Sequence, residues 1–275
     1  MKRTTYIIFG VLLAGLLVMS GVIFYVSLHT IAWDDFCLEI GGERKTVALP
    51  PCKVVKVVHP QEWKQVKEGI VTREQFIDWG ETKLVVSSAD SLRCGFSFAA
   101  DMEKFVSVSA VGDTALISFD FGDGKLEKRF QDSQYLRVKS EEMRLNLPED
   151  VRTIRMDVEG LATVLHGLHG DTLSCRVRDW VLVEDCRLTS LSMQAATLHL
   201  HSGEVRDLYL DLDDTNEWKV NVDSFHIDTE HLTGGRMHHN TLQQGECRRL
   251  LWTPKNEGAS LNVNIHQAAE MELKE

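Results

Sequence analysis

Residues 153–222 read TIRMDVEGLATVLHGLHGDTLSCRVRDWVLVEDCRLTSLSMQAATLHLHSGEVRDLYLDLDDTNEWKVNV, and the alternation inside this stretch decides the fold. Four triplets with an apolar residue at every second place recur in it. They are Ile154/Met156/Val158, Leu173/Cys175/Val177, Leu191/Met193/Ala195 and Leu208/Leu210/Leu212, with starts 19, 18 and 17 residues apart. A shorter pair stands 10 and 8 residues before each of the last three: Thr163/Leu165, Val181/Val183 and Leu198/Leu200. Trp218, Val220 and Val222 read as one more strand of this shorter kind. Side chains alternate between faces along a strand, so each triplet presents one apolar face. Two strands per turn at a nearly fixed turn length is the pattern of a parallel β-solenoid with rungs of about 17–19 residues. The competing arrangement is an antiparallel meander, which needs a tight turn at every strand junction; Asn-Gly and Asp-Gly pairs are scarce here. The solenoid is the expectation.

Upstream, short runs rich in Val, Phe, Ile and Leu are separated by Gly, Asp and Ser, and read as strands. They are Lys53–His59, Lys83–Ser88, Leu92–Phe98, Phe105–Ala110, Ala115–Phe121 and Leu126–Phe130, with Asp123-Gly124 as a hairpin turn between the last two. Thr72-Arg-Glu-Gln75 has capping-box spacing before Phe76, Ile77 and Trp79 and predicts one short helix ending at Gly80. Ala259–Ile265 reads as a last strand in a cap that also holds His238-His239. The boundaries read from these shifts are a stub at 1–5, an apolar span at 6–28 and an irregular region at 29–82. A strand region follows at 83–146, then repeats at 147–235 and the cap at 236–275.

The run Leu92–Phe121 with its Val-Gly-Asp-Thr-Ala-Leu-Ile-Ser turn and strand at 111–118, then Leu147-Pro-Glu-Asp150, then the repeats, resembles the auto-transporter adhesin, head GIN-type domain family of bacterial envelope proteins. The resemblance spans roughly Val54–Gly235 and lies in pattern. It implies a predominantly β, solenoid-like fold and an adhesin-like role, with no catalytic residues to carry over.

Tyr6–Leu28 contains no charged residue and is long enough for a helix to cross a hydrocarbon core. Lys2 and Arg3 precede it and Asp34 and Asp35 follow, so the positive-inside rule keeps the N-terminus cytoplasmic and exports the rest. A cleaved signal peptide is the alternative, but the run exceeds an ordinary h-region and no Ala-x-Ala-like site follows it. The 275-residue chain carries 30 Lys+Arg against 41 Asp+Glu, a net charge of −11. Without residues 1–28 the balance is 28 against 41, or −13. Such a chain is a poor partner for nucleic acid or anionic lipid headgroups.

All six cysteines follow the span, and none forms a Cys-x-x-Cys pair. Cys37 and Cys52 flank a short segment ending in Pro50-Pro51 and are the candidate disulfide; Cys94 reads as a core thiol. Outward places one step after 165, 183, 200 and 222 hold His166, Glu184, His201 and Asp223, a column that can bind a divalent metal or simply be solvated. The bend Asp211-Leu-Asp-Asp214 supplies carboxylates in the manner of an acid/base pair, but a bend of solvated acids is the favoured reading. No cofactor motif occurs. The expected function is therefore non-enzymatic: an anchored, exported all-β scaffold in the cell envelope, binding an envelope protein or glycan. The alternatives are an anchored carbohydrate-active enzyme using Asp211, Asp213 and Asp214, or a metal-binding module.

Overall fold

The computed structural model describes residues 2–29, 36–59, 64–65, 72–73, 76–88, 94–122, 124–131 and 135–265. The chain divides into two compact units, Met1–Cys37 and Leu38–Glu275. The first is dominated by one helix, Lys2–His29. Its Phe9–Leu28 segment has a mean hydropathy of 2.4 and is long and apolar enough to span a membrane.

The second unit is mostly β, and its two large sheets are built from strands taken alternately along the chain. From residue 153 onward the strands of the first sheet are Thr153–Asp157, His169–Val177, Cys186–Gln194, Gly203–Asp211, Phe225–Gly234 and Arg249–Pro254. Between them in sequence lie Ala162–His166, Trp180–Glu184, Thr197–Leu200 and Glu217–Val220, which belong to the second sheet. Each strand pairs in parallel with the next strand of its own sheet, a pairing that a meander of hairpins cannot produce. Both sheets are open at their edges.

Parallel in-register stacking collects the alternating apolar residues into inward columns. In the first sheet Val55, Ile154, Cys175, Met193, Leu210 and Leu232 follow one another across six strands, all buried. In the second, Leu165, Val183, Leu200 and Val220 do the same. The first-sheet register differs from the even spacing of the triplets. Ile154 pairs with Cys175, not Leu173, so that rung is 21 residues long, and Leu208 pairs with Glu230, 22 residues on. Rungs are thus less uniform than 17–19.

The strands before 153 continue both sheets at one end. Val54–Val58 lies between Thr153–Asp157 and Thr114–Phe119 and is parallel to both. Thr114–Phe119 then pairs antiparallel with Val106–Val111 through a two-residue turn at Gly112-Asp113. Lys83–Ser88 is parallel to Ala162–His166 in the second sheet. Strands on either side of residues 82, 146 and 235 therefore share sheets. Trp79, Phe96, Phe98, Phe105, Phe119 and Met102 pack beneath this end, fully buried or nearly so. Trp79 meets Phe119 edge-on at 4.9 Å between ring centroids.

Two local expectations are corrected. Phe76–Asp78 is a strand parallel to Tyr135–Ser140, not a helix: Ile77 and Trp79, two places apart, both point inward, which is strand spacing. Conversely, Lys128–Gln131 is a helical turn within the expected strand Leu126–Phe130, and Leu126 and Phe130 are buried four places apart, on one helix face. Glu74 and Gln75 of the expected capping box lie outside the described residues. So do Asp123 of the expected Asp123-Gly124 turn and Leu92 and Arg93 of the expected 92–98 strand.

Candidate functional site

Inward residues of the first sheet alternate with outward ones, and the same register that stacks its core stacks its surface. Lys56 stands between buried Val55 and Val57, Arg155 between Ile154 and Met156, and Arg176 between Cys175 and Val177. Arg155 is paired with Lys56 on one side and Arg176 on the other, and Arg176 with Gln194 beyond it. Three cations therefore stand on three adjacent strands in a straight row, about 4.8 Å from strand to strand. Among the described residues none of the three has an ion pair or a side-chain hydrogen bond. Like charges set directly opposite across strands are destabilising, so the row is held against its own repulsion.

The row borders a hollow of about 390 Å³ that is also lined by Met156, Asp157, Val177, Arg178 and Asp214. Arg178 is already paired with Glu159 at 3.0 Å. Two places earlier on the strands of Arg155, Arg176 and Gln194 runs a second outward row, Thr153, Ser174 and Ser192, again in register, while Val54 holds that place beside Lys56. The result is a cationic row whose two arginines are flanked by hydroxyls, on a chain whose net charge is strongly negative.

At the far end of the cationic row the charge reverses and is neutralised internally. Asp211 accepts hydrogen bonds at 2.6 Å from Lys255 Nζ, which also donates to Asp213 at 2.8 Å. Asp213 further accepts the Gly235 N–H at 2.8 Å and faces His238 Nε2 at 3.0 Å. Lys255 first, with His238 and the Gly235 N–H, holds the Asp213 carboxyl down to about 2. A carboxyl so stabilised as its anion has no proton to donate at neutral pH, which works against Asp213 as the acid of an acid/base pair. Replacing Lys255 with methionine is expected to return the Asp213 titration, followed by carboxyl-carbon NMR, toward the ordinary aspartate range.

The sequence-derived metal column is only partly assembled. His166 and Glu184 are register partners, with Nδ1 and Oε2 3.9 Å apart, and Asp185 lies 4.0 Å from the same nitrogen. His201 continues the column, its N–H donating to the Val183 carbonyl at 2.9 Å. The register then pairs Leu200 with Val220, so Asn221 follows beside His201, and Asp223 falls two residues later in the turn leading to Phe225. Among the described residues no group of three His, Cys, Asp or Glu side chains stands close enough to hold a metal ion. Cys37 and Cys52 are not joined to each other and stand as separate thiols. Burial pushes the Cys175 thiol up to about 12 and the Cys186 thiol up to about 11, so these two are packing groups and not nucleophiles.

One buried polar cluster leaves no mark in the alternation pattern. Glu230 occupies an inward place in register with Leu208 and Leu250 and is fully buried, with neither carboxylate oxygen meeting an oxygen or nitrogen partner. Glu246 and the Cys247 thiol adjoin it. Burial, with the Glu246 charge, pushes the Glu230 carboxyl up to about 8, and burial raises Glu246 too.

No family model matches the chain, and no curated protein matches it in sequence. Three crystal structures of bacterial proteins align along most of its length. One, from Parabacteroides distasonis, carries the provisional name of a lipid binding protein. It is 8% identical over 86% of this chain and 100% of its own, with a TM-score of 0.37. A provisionally named adhesin from Parabacteroides merdae is 9% identical, covers 86% of this chain and 99% of its own, and scores 0.32. A provisionally named cell adhesion protein from Clostridium sporogenes is 8% identical, with coverages of 82% and 98% and a score of 0.23. At such scores the names stay with those proteins.

Proposed function

We propose that the chain is a membrane-anchored, exported β-solenoid that binds an anionic ligand on the outer face of its first sheet and does not transform it. The in-register row Lys56–Arg155–Arg176 carries this reading, because three unpaired cations side by side raise the free energy of the unliganded surface and an anion lowers it. The solenoid description draws on the parallel pairing of alternate strands into two stacks. The apolar helix is the anchor in this reading, with Lys2 and Arg3 on the cytoplasmic side and the remainder outside. Export would also place Cys37 and Cys52 where thiols pair. The resemblance to the head GIN-type family and an adhesin-like role in the cell envelope belong to the same proposal, with an acidic envelope glycan as the natural ligand class.

The full chain in nanodiscs of neutral lipid, offered dextran sulfate, is expected to bind it with an affinity that falls as salt rises. The double variant Arg155→Glu/Arg176→Glu should lose at least about tenfold in affinity, equivalent to about 1.4 kcal/mol. Wild-type affinity in that variant, with its thermal unfolding unchanged, would remove the row from any binding role.

A further inference from the structure

The proposed anion site has a geometry that selects among anions. The cations do not converge on one point, as a site for a single phosphate or sulfate would require; they are strung out across the strands, one per strand, at the strand repeat. The row is also bounded. Leu116 stands opposite Lys56 on the next strand at one end. At the other, Gln194 is followed by Asp211, whose charge is taken up by Lys255. A ligand that fills the row is thus a linear chain lying across the strands and presenting about three anionic groups at an interval close to the strand spacing.

The flanking row decides between kinds of polyanion. Thr153, Ser174 and Ser192 place one hydroxyl-bearing residue beside each of Arg155, Arg176 and Gln194 on the same three strands. Hydroxyls donate and accept, which suits the ring hydroxyls of a sugar chain. The arginine forks match planar carboxylates two bonds at a time. Single-stranded nucleic acid would call instead for aromatic platforms beside the charges. The one aromatic pair of the neighbouring row, Tyr209 and His231, is stacked on itself at 4.2 Å, two strands away from Arg176.

We infer that the row Lys56–Arg155–Arg176 with its hydroxyl flank is a subsite for a uronic-acid polysaccharide carrying a carboxylate on every ring, laid across the strands with about one ring per strand. This rests on the anion-binding reading above and narrows it to a ligand class.

The experiment is calorimetric titration of the full chain, in nanodiscs of neutral lipid, with oligogalacturonates of increasing length. Parallel titrations use hyaluronan oligomers (a carboxylate on every second ring), linear polyphosphate and single-stranded DNA. Affinity is expected to rise with each galacturonate ring up to about three or four and then to level, because the row ends. Hyaluronan should bind at least about tenfold more weakly, and Arg155→Gln/Arg176→Gln should lose at least about tenfold toward oligogalacturonate. Ser174→Ala should weaken oligogalacturonate and leave polyphosphate unchanged. Equal affinity for oligogalacturonate, polyphosphate and DNA, with no levelling in length, would overturn the uronan assignment while leaving a general anion surface intact. Absence of binding by all four probes would remove both.

Discussion

Replacing Glu230 with leucine is expected to raise the stability of the folded unit by several kcal/mol at pH 8, measured as the urea midpoint and slope of the full chain in micelles. The position is already a leucine position in all but name. Across the first sheet its column reads Leu173, Leu191, Leu208, Glu230, Leu250, and the glutamate is fully buried, its carboxylate meeting no oxygen or nitrogen partner and only the Cys247 thiol beside it. An apolar side chain removes the cost of an unsatisfied buried polar group, about 1–3 kcal/mol. It also removes the cost of keeping that group protonated. Below pH 4.5 the carboxyl is neutral in both folded and unfolded chains, and ionisation exerts no pull. Between 4.5 and about 8 the unfolded chain releases this proton while the folded one keeps it, so stability falls as pH rises. Above about 8 the loss is complete. The gain in Glu230→Leu should therefore shrink markedly at pH 5. Glu230→Gln should lose most of the pH slope yet gain less, since its amide remains unpartnered. Equal gains at pH 5 and pH 8 would mean that Glu230 ionises freely and is not in the core.

What the sequence disclosed and what it concealed follow from one property of strands. Alternation has a period of two, so it reports which residues face inward but cannot distinguish a register from one slipped by two. Thr163, Val181 and Leu198 stack as their spacing implies, each in register with the next. Ile154 aligned with Leu173 looks as good on paper as Ile154 aligned with Cys175, yet only the second puts Arg155 beside Arg176. The same two-residue ambiguity placed Asp223, where Asn221 follows Val220, at the end of the histidine column. Lys56 was hidden for a different reason: its strand reaches its neighbours across long sequence separations, and no local pattern records that. The candidate site was thus written in the sequence as three outward basic residues between apolar neighbours, and only the register made them adjacent. Glu230 was hidden by its chemistry, since a charged letter in an alternating strand reads as an outward one.

Gly203→Ala is expected to cost roughly 3–5 kcal/mol of stability, by backbone strain and overpacking together. Gly203 has φ +135°, a conformation L side chains rarely adopt, and it lies in register between Cys186 and Phe225. A Cβ there would sit 2.9 Å from the Cys186 amide nitrogen and nearer still to the Cys186 carbonyl oxygen. Both are backbone atoms. Neither can rotate aside, because Cys186 is buried and its neighbour Asp185 is held by Ser202, whose hydroxyl accepts the Asp185 N–H at 3.0 Å and donates to its carboxylate at 2.8 Å. Gly112 supplies the comparison. It too has a positive φ, +62°, but it stands at a hairpin tip, where an added methyl would meet nothing within 4 Å. Gly112→Ala should therefore cost only the conformational penalty, about 1–2 kcal/mol. Urea unfolding of the two variants side by side separates strain from collision. The fraction of Gly203→Ala that remains folded should still bind the anionic probe, because Arg155 and Arg176 lie on strands that do not touch the 203–211 strand. If Gly203→Ala costs no more than Gly112→Ala, the two strands do not approach each other as closely at this corner as parallel stacking requires.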